Sequence, residues 1–157
     1  MKIEVGQPAP DFSLFDSNKH LISLADQKGK NVLLLFFPLA FTSTCTKELC
    51  SVRDNLSFFN ECNATVFGIS VDSPQTLAKY KEEQGLNFSL LSDFNKDVSG
   101  LYGCLYESYS NMNMKGVSKR SAFIIDKTGI IRYSEVLEVA GDLPDFDHIH
   151  QILLKIN

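Results

Sequence analysis

The residue with the clearest potential for chemistry is Cys45, because it lies where a predicted strand ends and a predicted helix begins. The apolar run at residues 32–37 precedes it, and a segment with the apolar spacing of a helix follows it. A thiol at a helix N-terminus lies beside unpaired backbone N–H groups and the positive end of the helix dipole. Both favour the thiolate, the nucleophilic form of cysteine. Nucleophilic sulfur chemistry is therefore expected at Cys45.

Two residues shortly before Cys45 have types that suit such a site. Thr42, three residues upstream, has a hydroxyl that can both accept and donate a hydrogen bond. The alternative role for Thr42 is helix capping, which Thr44 could equally perform. Pro38 removes a backbone donor and fixes φ directly after the strand, and it could simply end that strand.

The spacing Pro38-x-x-x-Thr42-x-x-Cys45 resembles the active-site motif of the peroxiredoxins, the AhpC/TSA family. The stretch Phe-Phe-Pro-Leu-Ala-Phe-Thr at residues 36–42 is similar to the AhpE type. The stretch Cys-Thr-Lys-Glu-Leu-Cys at residues 45–50 is similar to the PrxQ, or bacterioferritin-comigratory, type. Segments 6–14 and 119–126 also resemble the family, so the resemblance extends over nearly the whole chain.

This resemblance implies a thiol peroxidase that reduces hydrogen peroxide and organic hydroperoxides. The Cys45 thiolate would attack a peroxide oxygen and become a sulfenic acid. Thr42 would accept from the peroxide and donate to the thiolate, and Pro38 would shield the thiolate from water. No haem, flavin or metal is expected, because the nucleophile is a protein atom. The competing class is a non-catalytic redox sensor or partner-binding module that uses Cys45 only as a switch.

The same resemblance assigns a cation to the site. Arg120, in the segment similar to the family's arginine-bearing strand, would hold the thiolate or a peroxide oxygen. Glu48, one helical turn after Cys45, would bind and orient that arginine. Without the resemblance, the ordinary interpretation of both charged residues is exposure to solvent. Lys119 and Arg132 are weaker candidates for the cation.

Cys50 leaves the subtype open. In the PrxQ type, the cysteine five residues after the nucleophile is the resolving thiol, and a thioredoxin-like donor would reduce the resulting disulfide. The AhpE type lacks this cysteine and depends on an external thiol. A third interpretation makes Cys50 an ordinary helix cysteine. Cys62 and Cys104 are expected to be structural.

Composition argues against several other classes of protein. A net charge of −4 over 157 residues is too small to suggest binding to nucleic acid or an anionic membrane. No apolar run approaches the length of a membrane span, and the N-terminus has no apolar signal core, so a cytoplasmic location is expected. There is no Cys-x-x-Cys and no Cys or His pair with zinc-ligand spacing. A thioredoxin-type dithiol enzyme and a metal site are therefore disfavoured.

Strand and helix patterns alternate along the chain. Strands are predicted at 11–15, 20–24, 32–37, 65–71, 88–91, 121–126 and 130–136, and helices at 44–60, 74–84, 96–102 and 144–156. This order predicts an α/β fold, a three-layer α/β/α sandwich, as one domain over residues 1–157. It resembles the thioredoxin fold with the insertions of peroxiredoxins. The resemblance to the AhpE type also implies a homodimer that pairs near the active site, with apolar residues of loop 102–118 buried there.

Overall fold

The chain folds into seven strands and five α-helices that alternate through most of its length. The computed structural model describes residues 2–157, so Met1 of the predicted domain lies outside the described residues. The strands are β1 Ser13–Asp16, β2 Leu21–Ser23, β3 Asn31–Phe36, β4 Ala64–Ser70, β5 Ser89–Ser92, β6 Ser121–Ile125 and β7 Ile131–Val136. The helices are α1 Ser43–Asp54, α2 Leu56–Glu61, α3 Pro74–Gln84, α4 Asp97–Leu101 and α5 Phe146–Ile156, with a 3-10 helix at Leu24–Gln27. Every predicted strand is found close to its expected bounds.

All seven strands form one mixed sheet in the order β2-β1-β5-β4-β3-β6-β7. Strands β3, β4 and β5 are parallel neighbours, whereas β6 pairs antiparallel with β3 and with β7. Strand β3 is buried along its whole length, as its continuous apolar sequence predicts. The sheet draws strands from both halves of the described chain.

Helices lie on both faces of the sheet, which confirms the α/β class. Side chains of β3 alternate between two cores, Leu33 and Leu35 entering one and Leu34 and Phe36 the other. The first core is covered by α1, α2, α3 and α5. The second is covered by a thinner layer made of α4, the 3-10 helix and the N-terminal segment. No helix among residues 2–157 combines the length and apolar character needed to cross a membrane.

The single helix predicted over residues 44–60 is wrong, because the chain breaks it in two at Asn55. This residue has φ −116° and ψ 18°, outside helical geometry, and it separates α1 from α2. Its side-chain Nδ2 donates to the Ser51 carbonyl oxygen at 2.8 Å. Asparagine competes with the helix for backbone partners in this way, and apolar spacing alone does not reveal it.

The bounds of α3 follow the predicted signals at both ends. Ser73 accepts a hydrogen bond from the Thr76 N–H, Pro74 takes the first helical position, and Gly85 ends the helix with φ 61°. Helix α5 begins two residues later than predicted, at Phe146, since Asp145 takes the N-cap position and accepts from the His148 N–H.

Candidate active site

The loop 37–42 connects strand β3 to helix α1, and Cys45 lies in the first turn of that helix. The strand ends at Phe36, Thr42 takes the N-cap position, and Cys45 is the third residue of the helix, fully buried. The first N–H groups of a helix have no intrahelical acceptor, so this position offers donors and a positive dipole end. The connecting loop is fixed where the Ala40 N–H donates to Asp72 Oδ2 at 2.8 Å. The predicted strand-to-helix junction at Cys45 is confirmed.

Sheet register places Arg120 beside that junction. Strand β6 runs antiparallel to β3 and pairs Ser121 with Phe36, the last residue of β3. Arg120 directly precedes Ser121, so it lies level with the start of the loop that leads to α1. Its own carbonyl accepts from the Leu137 N–H at 2.9 Å, which ties it to the end of β7.

The Arg120 guanidinium, of which only 1% is exposed, connects three separate groups. Its Nη1 donates to Cys45 Sγ at 3.3 Å and to Glu48 Oε1 at 2.7 Å. On the other side, Nε and Nη2 donate to the Ala140 carbonyl oxygen at 3.3 and 3.0 Å. The arginine is thus held from both sides with Nη1 directed at the sulfur and the carboxylate.

Glu48 is completely buried, so the alternative of an exposed glutamate is wrong. It follows Cys45 by one turn of α1 and faces the same side of the helix. Burial raises the pKa of Glu48 to about 7, although the charge of Arg120 and its hydrogen bond act to lower it, and Glu135 adds a smaller upward contribution. Its second oxygen, Oε2, has no hydrogen-bond partner among the described residues. The carboxyl group can therefore hold a proton near neutral pH.

Thr42 occupies the N-cap position without capping the helix through its side chain. Its hydroxyl donates to the Leu39 carbonyl at 2.8 Å instead, which uses its only proton and leaves its oxygen as an acceptor. Donation from Thr42 to the Cys45 sulfur is therefore absent from this arrangement. Thr44 lies inside α1, and Pro38 is buried two residues after the end of β3.

Cys50 lies on the same helix as Cys45, but the two thiols are free and separate. Cα atoms five residues apart in an α-helix are about 8.6 Å apart, whereas a disulfide needs less than about 7 Å. Cys50 is partly buried and its Sγ lies 3.7 Å from Gln84 Oε1 at the end of α3. A bond between Cys45 and Cys50 would require the first turns of α1 to unwind.

The other two cysteines are buried in different cores. Cys62 lies in the core under α1, and Cys104 in the core on the opposite face of the sheet. Burial raises the pKa of both thiols, that of Cys104 to about 12. Burial therefore favours the protonated form of both thiols.

The weaker candidates for the cation are paired elsewhere. Lys119 Nζ lies 2.9 Å from Glu138, and Arg132 Nη1 lies 2.9 Å from Asp126. Of these candidates, the structure places Arg120 in contact with Cys45. Within residues 2–157, no group of three or more His, Cys, Asp and Glu side chains is arranged to hold a metal ion.

The sequence did not reveal the groups that hold the site residues and their loop in position by hydrogen bonds. Ala140 contributes only a backbone carbonyl, which no side-chain pattern signals. Asp72 follows β4 and could have been noted as a polar residue at the end of a parallel strand. Thr46, directly after Cys45, shares a hydrogen bond of 2.8 Å with the Tyr80 hydroxyl, a contact between two helices.

Comparison with known proteins identifies the family to which the chain belongs. Residues 5–134 match the model of the AhpC/TSA family. Alkyl hydroperoxide reductase E of Mycobacterium tuberculosis is 40% identical over 146 residues, 91% of this chain and 91% of that protein. A Coxiella burnetii protein that carries the name peroxiredoxin bcp is 40% identical over 132 residues, 83% of this chain and 87% of that protein. The crystal structure of peroxidoxin BcpB from Mycobacterium tuberculosis has a TM-score of 0.86 and 29% identity, covering 99% of both chains.

These similarities extend over the strands and helices that bring Cys45 and Arg120 together. The solved neighbour shares the whole arrangement of sheet and helices, so the fold is that of thioredoxin-like peroxiredoxins. The chain therefore belongs to the AhpC/TSA family and is a peroxiredoxin, a thiol-dependent peroxidase.

Proposed function

We propose that this peroxiredoxin reduces hydrogen peroxide and organic hydroperoxides at Cys45. The observation that carries the proposal is the 3.3 Å contact between Cys45 Sγ and the buried Arg120 guanidinium. The thiolate attacks a peroxide oxygen that bears hydrogen, the O–O bond breaks, and the sulfur becomes a sulfenic acid. The departing oxygen takes up a proton and leaves as water or alcohol. Sulfur loses the two electrons that the peroxide gains.

Arg120 stabilises the negative charge as it moves from sulfur to the departing oxygen. The guanidinium stays protonated at any working pH, and the Ala140 carbonyl fixes its far side before a peroxide arrives. Donors that are oriented in advance need no reorganisation during the reaction. Thr42 offers its oxygen as an acceptor for the peroxide O–H. Pro38, buried at the start of the loop, keeps water from the sulfur.

We assign Cys50 as the resolving thiol. Its thiolate attacks the sulfenic sulfur of Cys45, hydroxide leaves and is protonated to water, and a disulfide forms. A thioredoxin-like dithiol then reduces this disulfide. The assignment is supported by the partial burial of Cys50 on the same helix, since Cys62 and Cys104 are both buried. The alternative, direct reduction of the sulfenic acid by an external thiol, is favoured by the separation of the two thiols in the intact helix.

Glu48 makes the charge of the site depend on pH. One guanidinium faces two acidic groups, the Cys45 thiol and the Glu48 carboxyl, so the cluster has a surplus negative charge when both ionise. When Glu48 is protonated, the positive charge of Arg120 faces only one negative group, the Cys45 thiolate. We propose that Glu48 orients Arg120 and holds this proton near neutral pH.

We propose that the protein forms a homodimer through a surface beside the active site. Tyr102, which the sequence places in the contact loop, is buried in the core of its own chain and is unavailable for pairing. Two other apolar side chains are better placed. Phe41 is 49% exposed next to Thr42, and Val139 is 60% exposed next to Ala140. The proposal assigns both side chains to the contact between the two copies.

Replacing the cation tests the mechanism directly. Arg120→Ala should slow the reaction with peroxide by roughly 10²–10³-fold, the usual cost of losing one preorganised charge-stabilising donor. The measurement is the second-order rate constant for loss of the Cys45 thiol in the reduced protein. Arg132→Ala is the matched control and should react at the wild-type rate. A wild-type rate in Arg120→Ala would refute the assigned role.

Stability should depend on pH through Glu48. Its pKa of about 7 in the folded protein, against an ordinary value of 4.5, means that the folded state binds more protons between these pH values. The contribution of Glu48 to stability is therefore complete below pH 4.5 and is lost as the pH rises through 7. Urea unfolding of the reduced protein across this range should show a decline that Glu48→Gln lacks. Glu83→Gln, at an exposed position, should keep the wild-type decline, and an unchanged decline in Glu48→Gln would contradict the prediction.

Mass spectrometry after one equivalent of peroxide tests the proposed function. Wild type should lose two thiols and give a peptide that links Cys45 to Cys50. Cys50→Ser should stop at sulfenic acid and overoxidise readily, because no internal thiol consumes the intermediate. Cys45→Ser should show no peroxide turnover.

Two outcomes would refute parts of this scheme. A persistent sulfenic acid in wild type would show that an external thiol resolves Cys45. Substantial peroxide turnover in Cys45→Ser would remove Cys45 as the nucleophile.

Sedimentation should show a species of twice the chain mass of 17.6 kDa at micromolar protein concentration. Val139→Lys should shift this species toward the monomer, because it places a charge in the apolar contact. Leu154→Lys, at an exposed apolar position on α5, is the control and should leave the dimer intact. Finding only the 17.6 kDa species in wild type would rule out the homodimer.

A further inference from the structure

Two hydroxyl groups connect helix α3 to the first turn of α1 by hydrogen bonds. The Tyr80 hydroxyl lies 2.8 Å from Thr46 Oγ1, and Thr46 Oγ1 donates to the Thr42 carbonyl oxygen at 2.8 Å. Thr46 uses its only proton in that second bond, so the Tyr80 hydroxyl is the donor in the first. Thr42 is the N-cap of α1, and its carbonyl also accepts from the Thr46 N–H at 3.0 Å. Tyr80 thus closes the turn that contains Cys45.

Tyr80 is suited to hold this turn at any working pH. It is fully buried in the core under α1, and burial raises the pKa of its hydroxyl to about 12. The hydroxyl therefore remains a donor, and loss of the Thr46 contact would leave it buried without this partner. Unpaired buried donors are costly, so the bond between the helices favours the closed turn.

A strained residue directly precedes this turn. Phe41, directly before the N-cap, has φ +66°, a left-handed conformation that is unfavourable for a bulky side chain. Its ring packs on the Tyr80 ring with centroids 4.9 Å apart. Tyr80 therefore contacts the strained residue with its ring and the first helical turn with its hydroxyl. Strain that would be released by opening is held in place by one side chain from α3.

We propose that Tyr80 is a positioning residue whose hydroxyl, acting through Thr46, latches the first turn of α1 and sets how often that turn opens to bring Cys45 to Cys50. This Tyr80 latch (Tyr80, Thr46 and Thr42) rests on the proposed resolution by Cys50. Opening breaks no covalent bond. It breaks the two hydroxyl hydrogen bonds, leaves the buried Tyr80 hydroxyl without Thr46, and frees α1 to unwind.

The latch decides between two fates of oxidised Cys45. While the turn is closed, the sulfenic acid remains apart from Cys50, and a second peroxide can oxidise it to sulfinic acid with release of water or alcohol. When the turn is open, Cys50 attacks the sulfenic sulfur and water leaves. A tighter latch favours the sulfinic product, and a looser latch favours the disulfide.

Tyr80→Phe tests the latch because it removes the hydroxyl and keeps the ring on Phe41. Amide hydrogen exchange of residues 44–50 in the reduced protein should rise about fivefold, the change that loss of one buried hydrogen bond produces. After one equivalent of peroxide, the disulfide should form about fivefold faster. Half-maximal overoxidation should need correspondingly more peroxide. Tyr102→Phe is the matched control, because it removes a buried tyrosine hydroxyl bond to the Pro10 carbonyl in the other core.

Thr46 provides a second pair of variants should Tyr80→Phe fold poorly. Thr46→Val removes the hydroxyl at nearly the same volume and should raise exchange of residues 44–50 like Tyr80→Phe. Thr46→Ser restores the hydroxyl and should return exchange toward wild type. Rescue by serine separates the hydrogen bond from a general loss of packing.

The latch is refuted if Tyr80→Phe and Thr46→Val leave local exchange and disulfide rate at wild-type values, or if Tyr102→Phe raises them equally. Failure of the proposed function looks different. If wild type forms no disulfide between Cys45 and Cys50, the assignment of Cys50 as the resolving thiol is wrong. Amide hydrogen exchange of residues 44–50 in the variants then becomes the only measurement that decides for or against the latch.

Discussion

One buried guanidinium holds the active site together. Arg120 is almost completely removed from solvent, yet it contacts a thiol and a carboxyl group of α1 and a backbone carbonyl from the segment after β7. A buried charge is tolerated only when it is well paired, and removing a partner commonly costs about 3–5 kcal/mol. The buried charge of Arg120 therefore needs partners. They are the Glu48 carboxyl, the Ala140 carbonyl and the Cys45 sulfur.

Much of this could be predicted from the sequence because the decisive signals are local. The apolar run at 32–37 is too short for a membrane span and too continuous for a half-exposed strand, so it predicts a central buried strand. A cysteine directly after such a strand, at the start of an apolar helical pattern, falls at a helix N-terminus. The Ser-Pro start and Gly end of α3 were equally clear, because each residue has its own stereochemical reason.

What the sequence could not supply depends on contacts between distant residues. Nothing near Arg120 distinguishes it from a surface arginine. Its burial follows from the pairing of β6 with β3, a register that apolar pattern alone does not give, so the resemblance had to carry the assignment. The carbonyl of Ala140 has no side-chain signal, and Tyr80 looked like an ordinary helix residue. At Asn55 the helix breaks where the side chain donates to the Ser51 carbonyl oxygen, a contact that periodicity cannot detect.

The long separation between Cys45 and Arg120, 75 residues, has a consequence for biosynthesis. Domains fold as units during translation once enough chain has emerged from the ribosome. A nascent chain that has released Cys45 and α1 but not β6 carries the thiol without its guanidinium, and the Ala140 carbonyl that anchors the arginine arrives later still. The sulfur therefore gains the guanidinium that we propose as its activating partner only after β6 and Ala140 have been made. A nascent chain that ends between α1 and β6 has Cys45 without its contact to Arg120, and in the proposed mechanism the reactive site forms only when β6 pairs with β3.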